Sequence, residues 1–548
     1  MLQAARNRFE GGDLVVQSLK ALGVPRIFSV SGGPLNSIYH ACGAQDLPLH
    51  HTRHEAGACF MAEAMARMTG IPGVAAVTLG PGVTNAVTPA LVAKMAGVPL
   101  LIIGAQANTR LFERGAGMSA DHLPIMAPVT KWAARVLDTD RIPEYIGAAW
   151  RHMWAGRPGP VFLEIPVNVL TAAACAEAAL PFHERQWPGL SPAQCDLLAK
   201  AVAAAERPLL LIGDDVRWDS PAELRTVVER LHLPFATLRL GRGAIDESHP
   251  LCIGPGYTPC NETLRRALSA TDLVILLGHH FEFDLEFGQH LGDGTKVLQC
   301  VVEPELLGRN RKAEFGAIAS PSAFVDMLAS VTSTCISHSW GDGLARSWRA
   351  ERAAQRPDDG AVEPLHPINA VDAVVAALPA DATFVTSHGN VDFWADARIT
   401  VRRPDCYLRA GQAGALGAEL PYGIGAGFAR PDSPVVVFVG DGGVGYHATE
   451  LETAARYDRP VIVVVLDDEK WGAIALPQQA SYGAEFEMEL PRRDWAKVAE
   501  GLGGFGTRAG TVDAIAEAVR AALRSSRPSI IQVPVRSVIS PYMAYISG

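Results

Sequence analysis

One stretch constrains this chain more than any other: VVVFVGDGGVGYHATELETAARYDRPVIVVVLDDEKW, Val435 to Trp471. Its β-branched run Val435 to Val439 reads as a buried parallel strand, broken by Gly440-Asp441-Gly442. An amphipathic segment with Leu451, Ala454 and Ala455 on one side reads as a helix, stopped by Pro460. A second apolar run, Val461 to Leu466, ends in Asp467-Asp468. Strand, turn, helix, strand is a βαβ unit, so Asp441 and Asp468 emerge at one C-terminal sheet edge, where open α/β sheets bind ligands. Two hard oxygen donors beside a glycine turn that lets a phosphate approach the backbone suit Mg²⁺ carrying a diphosphate. Gly440, Gly442 and Gly445 also spell GxGxxG with an acid closing the next strand, a dinucleotide fingerprint. That reading is the weaker one, because Asp441 would face a pyrophosphate with no metal between them.

The chain has 548 residues, enough for about three to four domains. A net charge of −10 argues against nucleic-acid or anionic-membrane partners. Nine scattered cysteines without a CxxC predict reduced thiols, with neither a zinc site nor a disulfide framework. No signal-peptide pattern opens the chain and no apolar run reaches the roughly 18 residues of a spanning helix. A soluble, cytoplasmic protein is expected.

The pattern divides into three α/β domains with doubly wound, mainly parallel sheets, at 1–180, 190–340 and 360–548. In the first, strands are expected at Arg26 to Val30, Leu47 to His51, Val74 to Thr78, Leu100 to Ile103 and Val161 to Ile165. Phe112 to Val136 reads as loop and connector. Glu55 follows a strand end and opens a helix; on position alone it is a carboxylate that favours the helix dipole. His50, His51 and His54 cluster without metal-ligand spacing. The central domain carries strands at Pro208 to Ile212, Pro234 to Leu238, Leu273 to Leu277 and Val297 to Val302. Pro181 to Pro192 and Ser347 to Glu363 read as linkers. The third domain begins beyond Leu365-His366-Pro367 and ends in the strand Ser529 to Val533 and a tail, Ser540-Pro541-Tyr542-Met543.

Gly440-Asp441-Gly442, then Glu450-Leu451-Glu452-Thr453-Ala454, with Asp468 placed 27 residues after Asp441, resemble the diphosphate-binding motif of thiamine-diphosphate enzymes of the acetolactate synthase-like superfamily. Asp467-Asp468 stands where that family usually has Asn-Asn, a change that tightens the metal but repels the diphosphate. RHEAGACFMAEAMARMTG from Arg53 and GPGVTN from Gly80 resemble the superfamily's pyrimidine-binding domain, and the likeness spans nearly the whole chain in the same domain order. It implies Asp441, Asp468 and the backbone carbonyl of Lys470 as Mg²⁺ ligands. It places Gly440, Gly442, Gly443, His388, Gly389 and Asn390 at the diphosphate. The Gly414 carbonyl would meet the aminopyrimidine, and Leu416 would wedge between the cofactor's two rings. Glu55 maps to the catalytic glutamate, whose hydrogen bond to the pyrimidine drives removal of the thiazolium C2 proton. That role asks for a carboxyl in an apolar setting, able to share a proton near neutral pH.

Met118, at the family's usual glutamine position, and His122, Ile474 and Gln478 are the substrate candidates. For His122 a solvated loop histidine is the competing reading. Glu419 replaces a residue that is normally small. Some members bind FAD or an ADP moiety in the central domain. Here Val301 in place of a ribose-binding acid, and His279-His280-Phe281-Glu282 in place of the FAD synthases' pattern, weigh against FAD. Phe283 to Gly288 looks closer to the oxalyl-CoA decarboxylase and 2-hydroxyacyl-CoA lyase group.

The function implied is a thiamine-diphosphate- and Mg²⁺-dependent C–C bond lyase or carboligase on a 2-oxo acid, acetolactate synthase-like. The alternative is a 2-hydroxyacyl-CoA lyase or oxalyl-CoA decarboxylase-like enzyme on the same cofactor, taking an acyl-CoA. More distant are an NAD-dependent oxidoreductase using the GxGxxG and a non-catalytic homologue. Glu55 and Asp441 lie in different domains and relatives build the site across two subunits, so a homodimer or homotetramer with the active site between subunits is expected.

Overall fold

The computed structural model describes residues 9–174, 185–332, 335–357, 363–410 and 412–543. Its apolar runs become three six-stranded sheets in which every pairing is parallel. Helices flank each sheet and bury both faces, which is why the inner strands are continuously hydrophobic. The first sheet holds β1 (Ile27–Ser29), β2 (Leu49–His51), β3 (Gly73–Val77), β4 (Leu100–Gln106), β5 (Trp132–Arg135) and β6 (Val161–Pro166), in the order β2-β1-β3-β4-β6-β5. The second holds β7 (Pro208–Ile212), β8 (Phe235–Thr237), β9 (Cys252–Pro255), β10 (Leu273–Leu277), β11 (Lys296–Val301) and β12 (Phe315–Ile318), in the order β12-β11-β10-β7-β8-β9. The third holds β13 (Thr383–Thr386), β14 (Tyr407–Arg409), β15 (Val435–Gly440), β16 (Val461–Asp467), β17 (Phe505–Arg508) and β18 (Ser529–Pro534), in the order β14-β13-β15-β16-β18-β17. The first and third sheets share one topology. The middle sheet winds in the order of dinucleotide-binding folds.

The strands absent from the sequence reading, β5, β9, β12, β14 and β17, are all sheet edges. An edge strand is short and is covered on fewer sides, so it needs no long apolar run. Phe112 to Val136 is accordingly not all connector: it contains the helix His122–Met126 and β5. The expected second linker is corrected too, since the helix His338–Ala354 runs through its first half and seats Trp348 against Gly254 on β9. Part of the first expected linker lies outside the described residues. Among the described residues the cysteines are free, and no helix is long and apolar enough to cross a membrane.

The first and third domains share one hydrophobic core. Its centre is the crossing of two helices, Glu55–Thr69 and Glu419–Ala429. Small residues let them approach closely: a Cβ on Gly425 would lie 2.6 Å from the Met61 carbonyl and 2.7 Å from the Ala64 Cβ. Beside that contact Phe60 packs edge-on against Tyr422, and a buried Glu63–Arg67 pair spans 3.6 Å. Burial pushes the Glu63 carboxyl up to about 7, Arg67 opposing.

This packing predicts that Gly425→Ala destabilises the protein by about 1–3 kcal/mol, because a backbone carbonyl cannot move aside. Gly43→Ala, where a Cβ meets nothing within 4 Å, should change stability by no more than about 1 kcal/mol and in the favourable direction. Urea unfolding of the two variants measures both, and equal effects would rule out the crossing as the tight point.

Candidate functional site

Strands β13 and β15 are neighbours, yet the chain winds away from them in opposite directions, to β14 on one side and β16 on the other. The crevice outside their C-terminal ends is a topological switch point, the place where such sheets take ligands. Gly389 caps the helix Asn390–Arg398 and Gly440 caps the helix Asp441–His447, each with φ −77° and ψ 160°. The N–H groups at the start of a helix lack intrahelical partners, so two helix N-termini at the crevice make a setting suited to an anion. The expected turn at Gly440-Asp441-Gly442 is thus shorter than the sequence suggests: the helix starts at Asp441 itself.

A cavity of about 850 Å³ occupies this place. His388, Gly389, Asn390, Gly414, Leu416, Gly440, Asp441, Gly442, Gly443, Asp468, Lys470 and Ile474 all line it. The glycines are sterically required where the walls close in. A Cβ on Gly442 would meet the Trp471 ring at 2.6 Å, and one on Gly417 would meet the Tyr446 Cβ at 2.3 Å. His388 is held well below its ordinary pKa by burial and then by Arg409 and Arg239, so it is neutral.

The two terminal acids of β16 part company, as successive strand residues must. Asp468 lines the cavity and accepts a hydrogen bond from the Ser537 hydroxyl at 2.9 Å. Asp467 turns to the other side, where the Gln532 amide donates to it at 2.6 Å. Of the pair that stands in place of Asn-Asn, only Asp468 lines the cavity. Burial, then Asp468 and Asp467, push Asp441 up to about 8; burial chiefly pushes Asp468 up to about 6, with Ser537 opposing. Two carboxyls in one wall with no cation between them suit a divalent ion, whose charge offsets both effects. Lys470 gives its ammonium to Glu485 at 2.6 Å, leaving its main chain for the site. Among the described residues no three His, Cys, Asp or Glu side chains are grouped to hold a metal, so an ion here would complete its shell with ligand oxygens and water.

The central domain and the tail add walls that sequence reasoning missed. Arg239 faces Asp214 at 2.9 Å, Asp284 at 3.7 Å and Glu282. Tyr542 stacks on Phe393 with centroids 4.1 Å apart and donates to Asp284 at 2.5 Å. Glu282 lay in a stretch singled out for other reasons, and the tail carried no local signal. At the switch point of the middle sheet, between β7 and β10, acids hold the backbone, and beyond it Arg157, His280, Leu306 and Arg309 line the same cavity. Asp215 accepts from the Val302 N–H at 3.1 Å, Asp214 from the Leu240 N–H at 3.2 Å, and a Cβ on Gly213 would strike the His279 Cβ at 2.4 Å.

Glu55, Met118 and His122 are not among the residues lining this cavity in the same chain. They form a second group at the equivalent switch point of the first sheet, between β1 and β3. Glu55 opens its helix, His54 caps it by accepting from the Ala56 N–H at 3.0 Å, and the Asn85 amide donates to the Glu55 carboxylate at 2.9 Å. Asn85 went unnamed at the sequence level although it ends GPGVTN. The loop before Glu55 is fixed from the other domain: buried Glu450 accepts from the Arg53 and His54 N–H groups, each at 3.0 Å. Gly57 is small for this reason, since a Cβ there would lie 2.4 Å from Glu450 Oε1. Met118 is exposed, with φ +62° and its carbonyl against Gly80.

One substrate candidate is corrected. His122 is neither solvated nor open to a ligand: it is fully buried, accepts from the Gly80 N–H at 2.9 Å through Nε2 and donates through Nδ1 to Glu164 at 2.7 Å. Gln478, like Met118, is not among the residues lining the cavity in the same chain; its carbonyl accepts from the Phe486 N–H at 3.0 Å.

Three parallel sheets, with an anion-ready switch point flanked by carboxylates, define an α/β protein suited to a diphosphate and a divalent ion. Residues 9–125 match the family profile described as thiamine pyrophosphate enzyme, N-terminal TPP binding domain; residues 195–328 match its central domain and 387–533 its C-terminal TPP binding domain. A probable acetolactate synthase of Mycobacterium bovis is 28% identical, covering 99% of this chain and 98% of that protein. The 2-hydroxyacyl-CoA lyase 2 of Caenorhabditis elegans is 31% identical over 91% of this chain and 84% of its own, and the human 2-hydroxyacyl-CoA lyase 2 is 29% identical. The chain belongs to the thiamine pyrophosphate enzymes of the acetolactate synthase-like superfamily.

His122→Ala should leave the Gly80 N–H unpaired and cost about 1–3 kcal/mol of stability. Hydrogen exchange at Gly80 and the thermal midpoint read this out. A variant as stable as the parent, but inactive, would instead mark His122 as a group that meets substrate.

Proposed function

We propose that this protein is a thiamine-diphosphate- and Mg²⁺-dependent enzyme that breaks or forms a C–C bond next to the carbonyl of a 2-oxo acid, in the manner of an acetolactate synthase. The observation that carries the reading is the convergence of the GDG turn, the His388-Gly389-Asn390 loop, Leu416 and Asp468 on one cavity at a switch point. Asp441, Asp468 and the Lys470 carbonyl would hold the metal, and the His388-Gly389-Asn390 loop with the N–H groups of Gly442 and Gly443 would orient the diphosphate. When bound, the cofactor supplies a nucleophilic carbon and a sink for the electrons released with CO₂. Leu416 would hold it bent, and Glu55 would share a proton with its aminopyrimidine. Met118 and Ile474 would face substrate.

In one chain Glu55 stands apart from the cavity, so this reading requires a second copy: Glu55 of one subunit would complete the cavity of another. A homodimer is the smallest assembly that does so. We read the middle sheet as working without FAD, because Asp214 and Asp215 put carboxyl groups at the switch point where a nucleotide phosphate would need donors. A second reading, cleavage of a 2-hydroxyacyl-CoA, is favoured by the 31% identity to the lyase of Caenorhabditis elegans and uses the same site residues.

Purified apoprotein given thiamine diphosphate, Mg²⁺ and pyruvate should release CO₂ and acetolactate, and Glu55→Gln should slow this by about 10²–10⁴-fold while still binding the cofactor. Turnover of a 2-hydroxyacyl-CoA with pyruvate inert would select the second reading. A Glu55→Gln enzyme as fast as the parent would sink both.

A further inference from the structure

Glu419 is the first residue of the helix Glu419–Ala429, is 1% exposed, and lines the cavity opposite Gly443. Neither of its carboxyl oxygens has a hydrogen-bond partner. The nearest hydroxyl, on Ser387, gives its hydrogen to the Ala415 carbonyl at 3.2 Å. An ionised carboxylate buried with no partner is costly, and in such a place the group takes a proton instead. Among the described residues no cation acts on Glu419. His388 is neutral, and Arg409 is paired to Asp396 at 3.0 Å. Asp392, on the helix Asn390–Arg398, is itself acidic and accepts from the Ser387 and Gly389 N–H groups at 3.2 and 2.8 Å. Burial pushes Glu419 up to about 7; burial, then Glu419 itself, pushes Asp392 well above the usual carboxylate range. Together the two hold at least one proton at neutral pH. Asp392 accepts two formed backbone hydrogen bonds, whereas Glu419 makes none and has only the weaker opposing influence of Ser387 and of the Gly417 and Glu419 N–H groups, so we place the proton on Glu419.

A buried O–H needs an acceptor, and among the described residues the Glu419 carboxyl has no hydrogen-bond partner. We infer that Glu419 donates its proton in a hydrogen bond to the diphosphate of the bound cofactor, so that cofactor binding requires a protonated Glu419. This rests on the thiamine-diphosphate reading above. It also explains how a wall already holding Asp441 and Asp468 admits a third acid beside a polyanion: the third acid is a donor, not a charge.

The test is calorimetric titration of the Mg²⁺-saturated protein with thiamine diphosphate between about pH 6.5 and 8.5, in buffers of differing ionisation enthalpy. Above about pH 7 the wild-type affinity, taken relative to Glu419→Gln, should fall by up to about tenfold per pH unit. The wild type should take up a proton that the Gln variant does not, and Glu419→Ala should bind weakly throughout. Equal proton counts and pH slopes in wild type and Gln variant, or a ratio that rises with pH, would overturn the inference. The wild type alone gives an independent reading: its infrared difference spectrum at about pH 8 should gain a protonated-carboxyl band when the cofactor binds, and no such band overturns the inference even if the variants fail to fold. Failure of any form to bind the cofactor removes the parent reading; binding without a Glu419-linked proton removes this one alone.

Discussion

The close crossing of the helices Glu55–Thr69 and Glu419–Ala429 is the contact on which the rest depends. A single hydrophobic core runs through it from the first domain into the third. Both helices begin with a glutamate, and both glutamates stand at sites where chemistry is expected. The packing at Gly425 and Ala64 therefore does more than join domains. It fixes the directions in which two carboxyls leave their helices, Glu55 toward the Gly80–Pro81–Gly82 loop and Glu419 into the cavity. Glu450 ties the arrangement a second time, from its place in the third domain to the backbone ahead of Glu55.

Shared topology makes sense of this layout. The first and third sheets wind in the same order, so each presents a switch point of the same construction, one lined by Glu55 and Asn85 and the other by Asp441 and Asp468. On the proposed reading neither is a complete reaction site alone. The first offers a carboxyl with a positioned amide. The third offers two cavity-lining carboxyls and helix N-termini, and Glu55 is not among its lining residues. The middle sheet, although wound like a dinucleotide-binding fold, carries Asp214 and Asp215 at its switch point. Fold order alone does not decide what a switch point binds; the side chains that fill or vacate it do.

Much of this was legible in the sequence, and what was not has physical causes. Strands β15 and β16 are buried on both faces and read directly as β-branched runs, and the GDG between β15 and its helix marks the cavity correctly. Edge strands such as β12 and β17 are partly exposed and leave no such run. Arg239, Glu282, Asp284 and Tyr542 come together from segments far apart in the chain, and no local periodicity encodes a pairing across that distance. His122 illustrates the opposite failure. A histidine in an irregular stretch looks solvated until the fold places Gly80 on one ring nitrogen and Glu164 on the other.

The acids that replace the family's usual asparagine pair are the sharpest departure in the sequence, and the fold divides them. Strand alternation turns Asp467 away from the cavity and toward Gln532, whose amide supplies a donor that an asparagine would not have needed as strongly. Asp468 alone of the pair lines the cavity, where Ser537 holds one of its oxygens. An aspartate there adds one negative charge to a divalent ion's shell, strengthening the cation's hold. In the proposed site the same charge would repel a diphosphate less than a bare carboxylate does, because the ion would stand between them. The proton inferred on Glu419 would work in the same direction, removing a second repulsion from the opposite wall. Counted as sequence, this wall is hostile to a polyanion; resolved into faces, partners and protons, it can hold a metal and a diphosphate together.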